Sequence, residues 1–280
     1  MRVRTLGIVG VGLIGGSIGL AARQRKVAGR VVGVGRRRES LEQAKALGAI
    51  DEPALDLVGG VSRCDLAVFC TPVDRIAAQV KQVAPHCREG TLLTDAGSTK
   101  ALIVEALDGG LPDGVTFVGS HPLAGSEKRG PEHARADLFE GRVVVVTPTE
   151  ETDPAAVEAV SEFWRALGAR VEQLDPVTHD RALAVTSHLP HLVASALAGI
   201  LPESYQVLAA TGFRDTTRVA AGDPSLWAAI FRHNRDALLA ALSRLEDNFA
   251  EIRHALENDN VKKIVDWLAK AKQVRDALGS

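Results

Sequence analysis

Two groupings in this sequence have residue types and spacings that could do chemistry. The first is Gly10-Val11-Gly12-Leu13-Ile14-Gly15, which matches G-x-G-x-x-G, a turn whose backbone can approach a pyrophosphate. The second surrounds His121, in Gly119-Ser120-His121-Pro122-Leu123-Ala124-Gly125-Ser126-Glu127. An imidazole can be neutral near pH 7 and take up a proton there. A dinucleotide held next to a proton acceptor is what hydride transfer from an alcohol requires, because the hydroxyl proton must leave as the carbonyl forms.

Context sharpens the first grouping. The glycine run follows an apolar stretch, opens a helical pattern from Ile14 to Ala22, and lies in a unit of about thirty residues ending in a second apolar run. Gly10 is then expected to permit the tight turn, Gly12 to let backbone approach the phosphates, and Gly15 to let helix and strand pack closely. Leu13 and Ile14, at the helix start, and Thr71, past the Leu66–Phe69 run, complete the cofactor candidates with Ser98. The end of the second strand would carry a carboxylate for the ribose 2′-hydroxyl of NAD. Here Gly35 stands there instead, followed by Arg36, Arg37 and Arg38, with no anion to repel a 2′-phosphate and guanidinium groups able to grip one. NADP is the expected cofactor, with NAD possible; the other reading of these arginines is a solvated helix start.

The elements that must position these residues follow from the apolar pattern. Short apolar runs at Leu6–Val9, Val31–Val34, Leu66–Phe69, Thr91–Thr94, Thr116–Val118 and Val143–Val146 alternate with helical stretches, the rhythm of a parallel sheet covered on both faces. His121 is placed just beyond one such strand, at the carboxyl edge where these folds bind ligands. After Asp175-Pro176, a cap followed by proline at the first helical position, strand-like runs stop. The expectation is an α/β Rossmann domain with a parallel sheet over residues 1–172 and an all-α substrate and dimerisation domain over residues 173–280. Leu238, Leu242, Leu245, Phe249, Ile252 and Leu256 form a narrow heptad seam, suited either to an internal bundle contact or to a homodimer interface.

Composition removes other classes. With 33 Lys and Arg against 35 Asp and Glu, the chain has no net field to hold nucleic acid or an anionic membrane. Its three cysteines form neither a disulfide framework nor zinc-ligand spacing, so no metal site is expected and a reducing cytoplasm is. Thr5 to Ala22 is uncharged over eighteen residues, but six are glycine, each costing about 1 kcal/mol against alanine in a helix. The stretch therefore reads as the nucleotide turn and not as a membrane span.

Several stretches together resemble one known family. The run from His121 through Glu127, continuing as Glu132-His133-Ala134-Arg135-Ala136-Asp137-Leu138-Phe139-Glu140-Gly141, resembles the prephenate/arogenate dehydrogenases of tyrosine biosynthesis. So do Asp95-Ala96-Gly97-Ser98-Thr99-Lys100, His179-Asp180 with Ser187-His188-Leu189-Pro190-His191, and Gly212-Phe213-Arg214-Asp215-Thr216-Thr217-Arg218, in the family's order. The resemblance implies oxidative decarboxylation of a cyclohexadienol to 4-hydroxyphenylpyruvate or tyrosine: the ring hydroxyl loses its proton, hydride leaves for the cofactor, and the ring carboxylate departs as carbon dioxide.

It also implies roles. His121 is the base and Ser98 lies beside both that histidine and the nicotinamide; a helix N-cap is the other reading of Ser98. Ser126, Glu127, Ser187, His191 and Arg218 bind substrate, with Ser187 and His191 four apart on one helix face. His179, twelve residues before His191 and so roughly 18 Å along a straight helix, is expected to be a core or interface histidine. Pro190 should kink the helix at Thr186. Arg214 and Asp215 match positions that can reach a partner's site, in keeping with a homodimer.

Two departures stand out: Gly35 replaces the acidic residue of NAD-preferring members, and the chain ends near Ser280 without room for an appended regulatory domain. Rival readings are another two-domain β-hydroxyacid or imine-type reductase, which would lean on a lysine in the helical half, and a redox-sensing NAD(P)-binding protein without chemistry. The lysines of that half cluster late, at Lys262, Lys263, Lys270 and Lys272.

Overall fold

The computed structural model describes residues 3–126 and 128–279. Eight strands, β1 (Val3–Val9), β2 (Ala28–Val34), β3 (Glu52–Ala54), β4 (Leu66–Phe69), β5 (Thr91–Asp95), β6 (Val115–Pro122), β7 (Val143–Thr147) and β8 (Arg170–Gln173), form one sheet in the order β3-β2-β1-β4-β5-β6-β7-β8. The helices between them are α1 (Leu13–Gln24), α2 (Arg38–Ala46), α3 (Leu57–Val61), α4 (Val73–Val83), α5 (Ala101–Leu107) and α6 (Pro154–Ala166). Beyond the sheet come α7 (Pro176–Leu183), α8 (Leu189–Gly199), α9 (Thr211–Thr217), α10 (Pro224–His233), α11 (Arg235–Glu257) and α12 (Val261–Ala277).

The central strands β4 and β5 are buried along their whole length because the sheet is covered twice. Leu66 and Val68 enter one buried layer with Ile18, Phe139 and Trp164, while Ala67 and Phe69 enter the other with Ile76, Val80 and Ile103. The run of strands from β3 to β6 is parallel, the arrangement expected of a Rossmann sheet. β6 departs from it by pairing antiparallel with β7. β6 is also longer than its apolar run: it continues past its pairing with β5, which ends at Thr94 opposite Val118, so His121 stands on the strand, opposite Val145, and not after it.

The Asp-Pro starts behave as capping physics requires. The Asp175 carboxylate accepts from the Val177 and Thr178 N–H groups, and Asp223 accepts from Leu226. Pro190 is accommodated differently from a plain kink: the helix widens into a π turn over Ala184–His188 between α7 and α8. By compactness the chain divides after Asn234. The reason is polar: Asp180 of α7 accepts from the backbone N–H groups of Lys100 and Ala101 at 2.7 and 2.9 Å, and Asn234 donates to the Asp180 carbonyl at 2.7 Å. These buried bonds tie α7 and the end of α10 to the sheet layer. In the second unit α11 packs on α12, Asn260 caps α12, and Trp267 donates to Asn248 at 2.9 Å. Of its heptad residues, Leu238 is buried, Phe249 and Leu256 are exposed.

Candidate active site

The glycine turn is built as its spacing requires. Gly10 has φ of +92°, a conformation glycine adopts without steric cost, and its N–H donates to the Val34 carbonyl at 2.8 Å. A Cβ at Gly15 would overlap the Gly10 carbonyl and sit 2.9 Å from Ile8 Cγ2, so only glycine lets α1 approach β1 this closely. A Cβ at Gly12 would meet nothing within 4 Å: the space above the turn is open. α1 starts at Leu13 and Ile14 with neither a side-chain cap nor an acidic residue in its first turn. Free N–H groups, a positive helix end and an open approach suit a diphosphate, so these residues fit a dinucleotide.

The sheet gathers the other candidates around this turn. Val9 pairs with Phe69, and Phe69 with Asp95, so the segments following β1, β4 and β5 emerge side by side. Thr71 lies against Gly10, whose Cβ would fall 3.1 Å from the threonine methyl, and its hydroxyl donates to Gln79 Oε1 at 2.6 Å. Ser98, half-buried, follows β5. It does not cap α5, which begins at Ala101 and receives its cap from Asp180. On the other side, Arg36 and Arg37 are exposed just past β2, and Arg37 precedes α2. A Cβ at Gly35 would lie 3.1 Å from Leu41 Cδ2.

His121 is 9% exposed and is held by a chain of polar contacts. Its Nδ1 lies 2.9 Å from His179 Nε2, and His179 Nδ1 lies 2.8 Å from Asp180 Oδ1. His179, expected as a core or interface histidine, is fully buried, and its ring reaches His121 and not the groups near His191. Beneath them Lys100 and Asp95, both fully buried, form an ion pair; Lys100 Nζ also donates to the Ser120 carbonyl at 2.9 Å. Asp95 accepts from the N–H groups of Ser120 and Gly97 at 3.0 and 2.9 Å. Burial pushes the His121 imidazole well below its usual range, and the proximity of His179, Lys100 and His188, which makes a further positive charge unfavourable, pushes in the same direction. The ring is thus neutral at pH 7, free to act as a base.

The substrate candidates divide. Gly125 lies against the start of α1, with its Cβ position 3.5 Å from Ile14 Cδ1, which brings exposed Ser126 beside the glycine turn. Glu127 lies outside the described residues. Ser187 is half-buried in the π turn. His191 is buried and stacked on Trp227, with ring centroids 3.5 Å apart, and its Nδ1 meets no hydrogen-bond partner. Arg218 is exposed and opens a 3₁₀ turn, Arg218–Ala221, that packs on α8; Gly222, which ends it, would carry a Cβ 3.0 Å from His191 Cε1. Sequence reasoning assigned no place in the site to Trp227, His179 or the Asp95–Lys100 pair. The adjacency of His179 to an aspartate was the one available signal.

A family model described as the prephenate dehydrogenase nucleotide-binding domain matches residues 18–173, and one described as the prephenate dehydrogenase dimerization domain matches residues 175–270. The chain belongs to the prephenate dehydrogenase family. A prephenate dehydrogenase of Bacillus subtilis is 34% identical over 98% of this chain and 76% of its own length. The crystal structure of prephenate dehydrogenase from A. aeolicus, in complex with hydroxyphenyl propionate and NAD+, has 31% identity and a TM-score of 0.91 over 99% of both chains. The Synechocystis arogenate dehydrogenase structure has 30% identity and a TM-score of 0.80 over 98% of this chain and 99% of its own.

Proposed function

We propose that this chain catalyses the NAD(P)+-dependent oxidative decarboxylation of prephenate, arogenate or both. The observation that carries the reading is the neutral, buried His121 at the sheet edge beside an open, uncapped glycine turn, in a chain similar from end to end to dehydrogenases of these two substrates. His121 takes the proton of the ring C4 hydroxyl. The nicotinamide, when bound, accepts hydride from that carbon, and loss of the ring carboxylate completes an aromatic ring. Ser98 serves base and cofactor together, and Gly10, Gly12, Leu13, Ile14, Gly15 and Thr71 hold the dinucleotide. Arg218 supplies the planar fork that a substrate carboxylate needs, and Ser187, His191, Ser126 and Glu127 are the other substrate-binding candidates.

The absence of a carboxylate after β2, together with exposed Arg36 and Arg37, supports a preference for NADP over NAD. The protein works as a cytoplasmic homodimer that associates through its helical domain, residues 173–280, with residues 1–172 as the cofactor domain; the family's dimerization model covers most of the former. Steady-state turnover of prephenate and arogenate with each cofactor tests the reading. Turnover of at least one is expected, and none with either substrate would overturn it. Tighter binding of NAD than NADP would remove the cofactor preference alone.

A further inference from the structure

We propose that His179 and Asp180 are positioning residues that fix the tautomer of His121, keeping its proton on Nδ1 and its lone pair on Nε2. The inference rests on His121 being the base of the reaction proposed above, and it assigns a function to two residues beyond that base.

The argument runs inward from the carboxylate. Asp180 Oδ1 accepts the Lys100 N–H at 2.7 Å and Oδ2 the Ala101 N–H at 2.9 Å, so both oxygens already act as acceptors toward backbone donors that cannot reverse. Oδ1 also meets His179 Nδ1 at 2.8 Å, and an oxygen serving as acceptor requires the proton to be on that nitrogen. A neutral imidazole has one N–H, so His179 Nε2 carries a lone pair. That lone pair, 2.9 Å from His121 Nδ1, can only accept, which places the His121 proton on Nδ1 and leaves Nε2 bare. The two rings stand at 71° with centroids 5.1 Å apart, an edge-on geometry that suits an N–H···N bond.

The step that could fail is the neutrality of His179, since an imidazolium would donate from both nitrogens and reverse the sense of the bond. His179 is fully buried, and burial lowers its proton affinity; the charge of Lys100 adds to this, while Asp180 and Asp95 oppose it. His188, packed nearby, is lowered to about 4 by burial and is neutral as well. Asn234 holds the other end of the assembly, donating to the Asp180 carbonyl at 2.7 Å and lying 3.0 Å from His188 Nδ1. Without the chain from Asp180, both His121 tautomers are open to the ring, and the one with Nε2 protonated cannot accept from a substrate hydroxyl.

The test is ¹⁵N–¹H long-range correlation of the imidazole groups in the full-length protein at pH 7.5, with His121 assigned by loss of its signals in His121→Asn. The expected pattern for His121 is a protonated Nδ1 and an unprotonated Nε2; the opposite pattern would overturn the proposal. In His179→Phe, which removes the acceptor but keeps a ring, His121 should shift toward the Nε2–H form and kcat should fall roughly a hundredfold, within the span attributed to a general base. His179→Gln offers an acceptor oxygen near the Nε2 position and should restore most of the loss. Unchanged kcat in His179→Phe, or a glutamine variant as impaired as the phenylalanine one, would also refute it. If His179→Phe fails to fold, the wild-type spectrum still decides. Failure of the wild type to turn over prephenate or arogenate would instead sink the assigned reaction, leaving the tautomer measurement to stand by itself.

Discussion

His121 and Arg218, the two side chains from which the proposed reaction asks most, sit in contrasting surroundings. His121 stands on a central strand, beside a layer in which Asp95, Lys100, Ser120, His179 and Asp180 are all buried and hydrogen-bonded to one another or to backbone. Arg218 is exposed and opens a four-residue 3₁₀ turn with no buried residue in it. Under the proposed function, proton handling is thus built into a buried, hydrogen-bonded part of the fold. Charge recognition, on the same reading, is carried on a surface turn. The contrast teaches that substitutions in the first region should damage chemistry and stability together, and substitutions in the second should damage binding alone.

The largest expected effect comes from the base. His121→Asn should lower kcat by about 10²–10⁴-fold, the span attributed to a general base, with cofactor affinity measured by fluorescence titration nearly unchanged. A variant that keeps wild-type turnover would break the comparison at its first member. Next is Lys100→Met, which leaves Asp95 charged and buried without its partner; breaking such a pair costs about 3–5 kcal/mol, readable in urea denaturation. Arg218→Ala should raise KM roughly ten- to a hundredfold, the loss of one charge-assisted bond worth about 1.5–3 kcal/mol, while the urea midpoint stays put. A stability loss there as large as that of Lys100→Met would erase the distinction between the regions.

The smallest effect is graded with pH. His121, His179, His188 and His191 all hold protons less well folded than unfolded, chiefly through burial. The unfolded chain therefore binds more protons in the window between the folded values, about 4 for His188, and the ordinary 6.5. Their contribution to stability is fully present above pH 6.5 and is lost as pH falls toward 4. Denaturation midpoints measured at pH 7.5, 6 and 5 should decline in that order, and a flat series would show that these rings are not buried neutral.

Much of the site was legible in the sequence, because its cofactor part is local. Gly10 and Gly15 act through their own backbone and nearest neighbours, and Asp175-Pro176 caps its own helix, so a few adjacent residues carry the whole cause. His121 was placed at the correct sheet edge for the same reason, although its strand runs on to Pro122 through pairing with β7 that no local pattern announces. The parts that escaped depend on distant partners. A cap on α5 was the alternative reading of Ser98, but that cap comes from Asp180, seventy-nine residues away from Ala101. His179 was read only as a core or interface histidine because distance was measured along the helix toward His191, whereas its ring points across to β6. The strands β3 and β8 escaped because Glu52, Arg170, Glu172 and Gln173 give them no apolar run; position beside β2 and β7 makes them strands.

The close approach of Leu41 to Gly35 has a practical consequence for redesign. An engineer wishing to exchange one nicotinamide coenzyme for the other would install aspartate at position 35, and its Cβ would press at 3.1 Å on a leucine methyl that is itself packed in the core. The swap therefore comes as a pair: the acid at 35 and a trimmed side chain at 41, with the arginines that follow left for a second round.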